Sequence, residues 1–195
     1  MAYIKKDGLV FPYTNRMLRE DTPNTSFPAV LSDEIRAAYG VYPVTVDPTP
    51  DHDPATQVAE QGTPQETGGA WSIGWTVRDK NAEELAEYQT RMTERVQRLM
   101  GEKLEVLAAG YERQERETWS TQVKEAEAIK AGSTTAPLLS SLAAGKGRTL
   151  DEQADRVLYL AQQFALASGV IMAARDALIA MDPIPADYAA DTYWP

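Results

Sequence analysis

The single histidine, His52, stands between two aspartates in Asp51-His52-Asp53, with Pro50 and Pro54 on either side. Imidazole beside carboxylate is the raw material of general acid–base catalysis or of a metal site. Zinc needs more nitrogen or sulfur ligands than this triplet supplies, and the chain has no cysteine to add them. The spacing also lacks the alternating oxygen ligands and the glycine of a calcium loop. A solvated, proline-stiffened loop is the simpler reading. Gly145-Lys146-Gly147-Arg148-Thr149 invites a second hypothesis, phosphate binding. A phosphate-cradling loop needs a glycine five residues before its Gly-Lys pair and a hydroxyl side chain directly after it. Those positions hold Ser140 and Gly147, so both requirements fail and the segment reads as a turn between helices. Glu83, Glu84 and Glu87 open a helix, where carboxylates offset the positive end of the dipole. Glu112, Glu115 and Glu117 alternate with Arg113 and Arg116, the pattern of a solvated helix face. No catalytic residue, metal ligand or cofactor site emerges, so the expectation is a binding or structural protein with no enzymatic activity.

Composition narrows the partners. The 195 residues are 43% hydrophobic and 25% charged, as in a folded protein, with a net charge of −10. Such a field repels polyanions, so nucleic acid is an unfavourable partner. The deficit is spread along the chain, with no basic patch in either half. No apolar run approaches the ~18–20 residues of a membrane span, and no signal-like apolar segment follows Met1, so membrane insertion is not expected and the cytoplasm is the expected compartment where the chain is made.

The elements that must position any binding residues fall into two regions. Most of the twelve prolines precede residue 70, whereas Asn81 to Met181 contains only Pro137. Proline breaks helices, so the architecture changes near residue 80. Before it, Asp7-Gly8 suits a tight hairpin between Tyr3–Lys6 and Leu9–Phe11. Residues 12–28 read as an irregular loop, and Ser32 can cap a short helix ended by Gly40. Val41–Val46 reads as a strand whose Pro43 favours an edge or a bulge. Residues 55–60 and 70–77 read as two further strands. In the second, Trp71, Ile73, Trp75 and Val77 alternate onto one face, which would put two indoles on one side of a small sheet.

After residue 80, Asn81 with Glu84 has the spacing of a capping box. Leu85, Tyr88, Met92, Val96, Leu99, Leu104, Leu107 and Tyr111 continue a helical stripe that Trp119 and Val123 extend. This reads as one helix to Lys130, with Trp119 buried where it meets its partner. Pro137 suits the first turn of a short helix. Thr149 with Glu152 gives a second capping box, opening a helix whose stripe runs Leu150, Ala154, Val157, Ala161, Phe164, Ser168, Ile171, Arg175 and Leu178. An antiparallel hairpin buries both stripes. The expected fold is therefore α+β: a small β-rich module over 1–80, a long α-helical hairpin over 81–182, and an aromatic tail over 183–195.

The stretch Gly69-Ala70-Trp71-Ser72-Ile73-Gly74-Trp75-Thr76-Val77-Arg78-Asp79, followed by Asn81-Ala82-Glu83-Glu84, resembles phage tail proteins of the tail-fibre assembly type. Glu112 through Ala128, with Trp119, Gln122 and Glu125-Ala126, is similar to their helical C-terminal domain, as is Thr135-Ala136-Pro137-Leu138-Leu139 through to Leu150-Asp151-Glu152. The segment 14–46 is similar to N-terminal modules carried by such proteins. The resemblance implies a chaperone that binds a trimeric tail fibre protein and helps it fold or attach, with retention on the virion tail compatible with that role. The alternative is a permanent structural adaptor of the phage tail or baseplate. The motifs are packing motifs and transfer no catalytic residue. Three sets of side chains are candidates for partner binding: Tyr42 and Val44 on the expected edge strand, Trp71 and Trp75 on the two-indole face, and Tyr193 and Trp194 in the tail. The N-terminal module is expected to carry the main contact.

Overall fold

The computed structural model describes residues 2–195, which form two compact units, Met1–Glu83 and Glu84–Pro195. The architecture is α+β, with strands in two small sheets followed by long helices.

In the first unit, β1 (Ala2–Lys5) leads into a turn where Gly8 takes φ +81°. The expected Asp7-Gly8 hairpin shrinks to one backbone pair, Lys5 with Val10, because β1 finds its ladder in β2 (Val41–Val46). Residues 12–28 are not wholly irregular. Thr14 caps α1 (Asn15–Asp21) by accepting from the Met17 N–H at 3.2 Å. Asp21, at the end of α1, accepts from Lys5 Nζ at 2.6 Å and from Tyr13 Oη at 2.7 Å, tying the helix to β1. The Lys5 contact, then the Tyr13 hydroxyl, hold the Asp21 carboxyl below its ordinary range. Ser32 caps α2 (Asp33–Ala38), and Gly40 reverses the chain at φ +71°.

Next come β3 (Gln57–Gln61), β4 (Gln65–Thr67), β5 (Ala70–Ile73) and β6 (Trp75–Asp79). One sheet has the order β1-β2-β5-β4, with β2 and β5 parallel and the other pairs antiparallel; β3 and β6 form a separate antiparallel pair. The single strand expected over 70–77 is thus two strands, divided at Gly74. There the Ile73 carbonyl accepts from Asp47 N–H and the Gly74 carbonyl from Gly62 N–H, and the chain leaves one sheet for the other. A side chain at Gly62 would meet the Gly74 carbonyl oxygen at 3.3 Å, so the crossing is close.

Side chains alternate across the four-stranded sheet. Ile4, Val44, Trp71 and Ile73 cluster on one face with Phe11 and Tyr42 against them. Tyr3 and Val41 meet Leu18, Met17, Leu31 and Ile35 on the other, beneath α1 and α2. Both faces are covered.

The second unit starts within α3 (Ala82–Ala108), followed by α4 (Arg113–Lys130), α5 (Pro137–Gly145) and α6 (Leu150–Ile179). The one helix expected from Asn81 to Lys130 is two. The break falls at residues 109–112, where Gly110 weakens the helix and Glu112 turns extended at ψ 150°. Gly101, in contrast, is carried inside α3. The α4 and α6 helices run antiparallel: Lys130 reaches Asp151 and Asp155 at 2.7 Å each, and Trp119 meets Phe164. Ala126, Ala136, Leu139, Ala154 and Val157 form the core of this hairpin, closed by α5. Alanines at these positions let the helices approach closely. Pro137 stands in the first turn of α5, whose leading N–H groups have no cap of their own. Glu125 on α4 supplies it, accepting from Leu139 N–H at 2.8 Å and Leu138 N–H at 3.4 Å. At the head of α6 the Thr149–Glu152 capping box is formed in both directions. The backbone and hydroxyl of Thr149 hold the Glu152 carboxyl below its ordinary range.

The buried side of α6 is Ala154, Val157, Ser168, Ile171 and Leu178. Leu166, Val170, Tyr159 and Met172 stay exposed. By length and composition α6 is apolar enough to cross a membrane, which corrects the expectation that no stretch comes near that threshold. A count of unbroken apolar residues misses it, because Gln, Ser and Gly are interspersed along the helix.

Candidate partner-binding surface

Val41–Val46 is not an edge strand. It lies inside the four-stranded sheet, between β1 and β5. Pro43 is tolerated there for a local reason. It pairs with Tyr3, whose carbonyl faces away from β2 and accepts from Tyr13 N–H at 2.8 Å, so the Tyr3–Pro43 pair needs no ladder bond. On its other side, pairing with β5 begins only at Val44. The missing proline N–H therefore costs nothing on either flank. Val44 is buried in the sheet core, and Tyr42 packs beside it, half-exposed.

The two tryptophans separate. Trp71 is buried on the Val44 face, and its Nε1–H has no hydrogen-bond partner among the described residues. Trp75 belongs to the β3–β6 pair, half-exposed, and donates from Nε1 to the Asp47 carbonyl at 2.8 Å. The expected two-indole face does not exist, because the chain changes sheets at Gly74.

The C-terminal tail is folded onto α3. Tyr88 Oη donates to the Ile184 carbonyl at 3.0 Å. The Gln89 amide donates to the Met181 carbonyl at 2.8 Å and accepts from Ile184 N–H at 3.0 Å. Ile184 is fully buried; Trp194 is nearly so, donating to the Tyr188 carbonyl at 2.7 Å beneath the Lys103 ammonium. Tyr193 is half-exposed. Trp194 is thus an intramolecular anchor in this state, whereas the Tyr193 ring, like that of Tyr188, is half-exposed.

The free backbone lies elsewhere. The far edge of β1 is occupied by Tyr13 and Val10. At the opposite edge stands β4, with Gln65, Glu66 and Thr67 all exposed. It joins β5 through Gly68 and Gly69, both at positive φ (+61° and +84°), a two-residue turn that only glycine, asparagine or aspartate fits well. In such a hairpin the residues flanking the turn exchange backbone bonds, and pairs then alternate. Thr67–Ala70 and Gln65–Ser72 are therefore bonded pairs, and Glu66, opposite Trp71, directs its N–H and C=O outward. The Glu66 side chain pairs with Lys6 at 2.9 Å. The strand before this turn carries no signal in the sequence, since Gln-Glu-Thr has no apolar alternation.

His52 and Lys146 are explained locally. His52 Nδ1 lies 3.0 Å from the Pro50 carbonyl. Asp53 accepts from Ala55 N–H and Thr56 Oγ1, each at 2.9 Å, which lowers its pKa and shapes the turn into β3. Lys146 ends α5, and Gly147 takes φ +63°. Among the described residues, no three acidic or histidine side chains converge as a metal site would require.

No family model matches the chain, no curated protein is similar to it, and no solved structure matches it.

Proposed function

We propose that this chain is a phage tail fibre assembly chaperone. It would bind the trimeric fibre in the host cytoplasm through the first unit, and it would act with neither cofactor nor nucleic acid. The resemblance to such proteins over roughly residues 70–180 suggests the class. The observation that carries the mode of binding is the outward-facing backbone of Glu66 at the open edge of β4. Fibre chains are rich in β structure and carry unpaired strand edges until three of them register. A short polar edge can pair with such a strand through backbone bonds, then release it, because three residues offer few bonds and no apolar grip.

The test is co-expression with a phage tail fibre protein. Both Glu66→Pro and Glu66→Ala lose the carboxylate and its Lys6 pair, but only proline also removes the outward N–H, leaving the β4–β5 bonds intact. Fibre co-purification lost with proline and kept with alanine supports the reading. Equal binding by both variants would refute it. A permanent adaptor of the tail or baseplate is the second reading, favoured by the exposed apolar side of α6, since lasting assemblies bury such faces.

A further inference from the structure

Val157 to Ala174 contains no charged residue, yet only 17% of the apolar window of α6 is buried within the chain. The exposed part is ordered. At 100° per residue, Tyr159, Gln163, Leu166, Val170, Ala173 and Ala177 form a stripe opposite the buried one. Their spacing alternates four and three, the repeat of a coiled-coil seam. Tyr159 is 54%, Leu166 60% and Val170 54% exposed. The helix therefore carries two seams, one used against α4 and α5 and one open.

We propose that the open seam pairs with α6 of a second copy of this chain, antiparallel and centred on Leu166. Three features select that occupant. The chain carries −10, so two copies approach without penalty only over a neutral face, and the charge-free run supplies one. Heteromeric coiled coils choose partners through charges flanking the seam, whereas here charge stands only at the two ends, Asp155 and Arg156 at one and Arg175 and Asp176 at the other. The seam is also graded, with Tyr159 at one end and Ala173 and Ala177 at the other. Antiparallel pairing about Leu166 sets Tyr159 level with Ala173 and Gln163 level with Gly169, so large side chains meet small ones. It also brings Arg156 level with Asp176 and the negative end of the other helix. Parallel pairing would stack Tyr159 on Tyr159 and Arg156 on Arg156.

Light scattering behind size exclusion, at tens of micromolar full-length protein, should give twice the 21.5 kDa chain mass. Leu166→Glu should return it to the single-chain mass with an unchanged melting temperature, since Leu166 has no buried role. The absence of cysteine permits a second, geometric test. Leu166→Cys should cross-link to dimer under mild oxidation. Tyr159→Cys should not, because its two copies would lie about 21 Å apart along the antiparallel pair. A single-chain mass for the parent, a dimer untouched by Leu166→Glu, or equal cross-linking at both positions would overturn the proposal. So would a monomer that floats with neutral phosphatidylcholine vesicles, which would make lipid the occupant.

Discussion

The two units leave different kinds of surface open. In the first, both faces of the four-stranded sheet are buried, one through Ile4, Val44, Trp71 and Ile73 and the other beneath α1 and α2. Outward-facing backbone is left at the polar edge of β4. In the second, the helix interiors bond their own backbone, and what stays open is side chain, along the outer stripe of α6. The first core is built from large residues on a sheet; the second relies on alanines that bring helices together. The contrast teaches that a strand edge offers hydrogen bonds while a helix face offers apolar area. The two units are therefore suited to different partners.

The largest effect should come from the first core. Trp71→Ala removes a buried indole and should cost about 3–5 kcal/mol, measured by chemical denaturation. A loss below about 1 kcal/mol would mean that the sheet face is not the core of its unit. In the second unit, Trp119 is half-buried, which corrects the expectation of full burial. It sits edge-on between Tyr111 at 5.1 Å and Phe164 at 5.3 Å. Trp119→Ala should cost about 1–3 kcal/mol, less than Trp71→Ala, because each ring contact contributes about 0.5–1.5 kcal/mol and part of the indole is already in water. Smaller again is the loss of the cap on α5: Glu125→Ala should lower stability by about 1 kcal/mol. Glu125→Gln, which keeps one acceptor, should recover part of it.

Acid should act on both units, modestly. Asp21, Asp53 and Glu152 are held below their ordinary values by hydrogen bonds from Lys5, from the Ala55 backbone and from the Thr149 backbone respectively. A carboxylate depressed in the folded state contributes fully above its unfolded value, about 4, and that contribution is lost as pH falls through the folded value. Thermal stability should thus be level near neutral pH and decline below about pH 4. The Asp53→Asn variant should show a shallower decline. A melting temperature that rises on acidification would contradict the assignment.

Local chemistry was legible in the sequence wherever one residue type decides it. Ser32, Pro137 and the Thr149–Glu152 box stand where their caps and first turns require. The α6 stripe named Ala154, Val157, Ile171 and Leu178 correctly as the packed side. Errors arose where tertiary pairing overrides a local pattern. Trp71 to Val77 alternates like one strand, but pairing with β2 before Gly74 and with β3 after it divides the run between two sheets. Pro43 signals an edge only when its missing N–H would face a neighbour, and register, invisible in sequence, turns it away. The Glu66 edge was missed because its residues are polar throughout. The open α6 seam was missed because one helix can carry two stripes.

Amide hydrogen exchange with and without the fibre tests the central claim most directly. Binding through the first unit predicts that the Glu66 N–H, outward and unpaired in the free chain, becomes the most strongly slowed amide. Ile184 N–H, already bound to Gln89, should be unchanged. Unchanged exchange at Glu66, with altered exchange from Ile184 to Trp194, would contradict the account and place the contact on the tail.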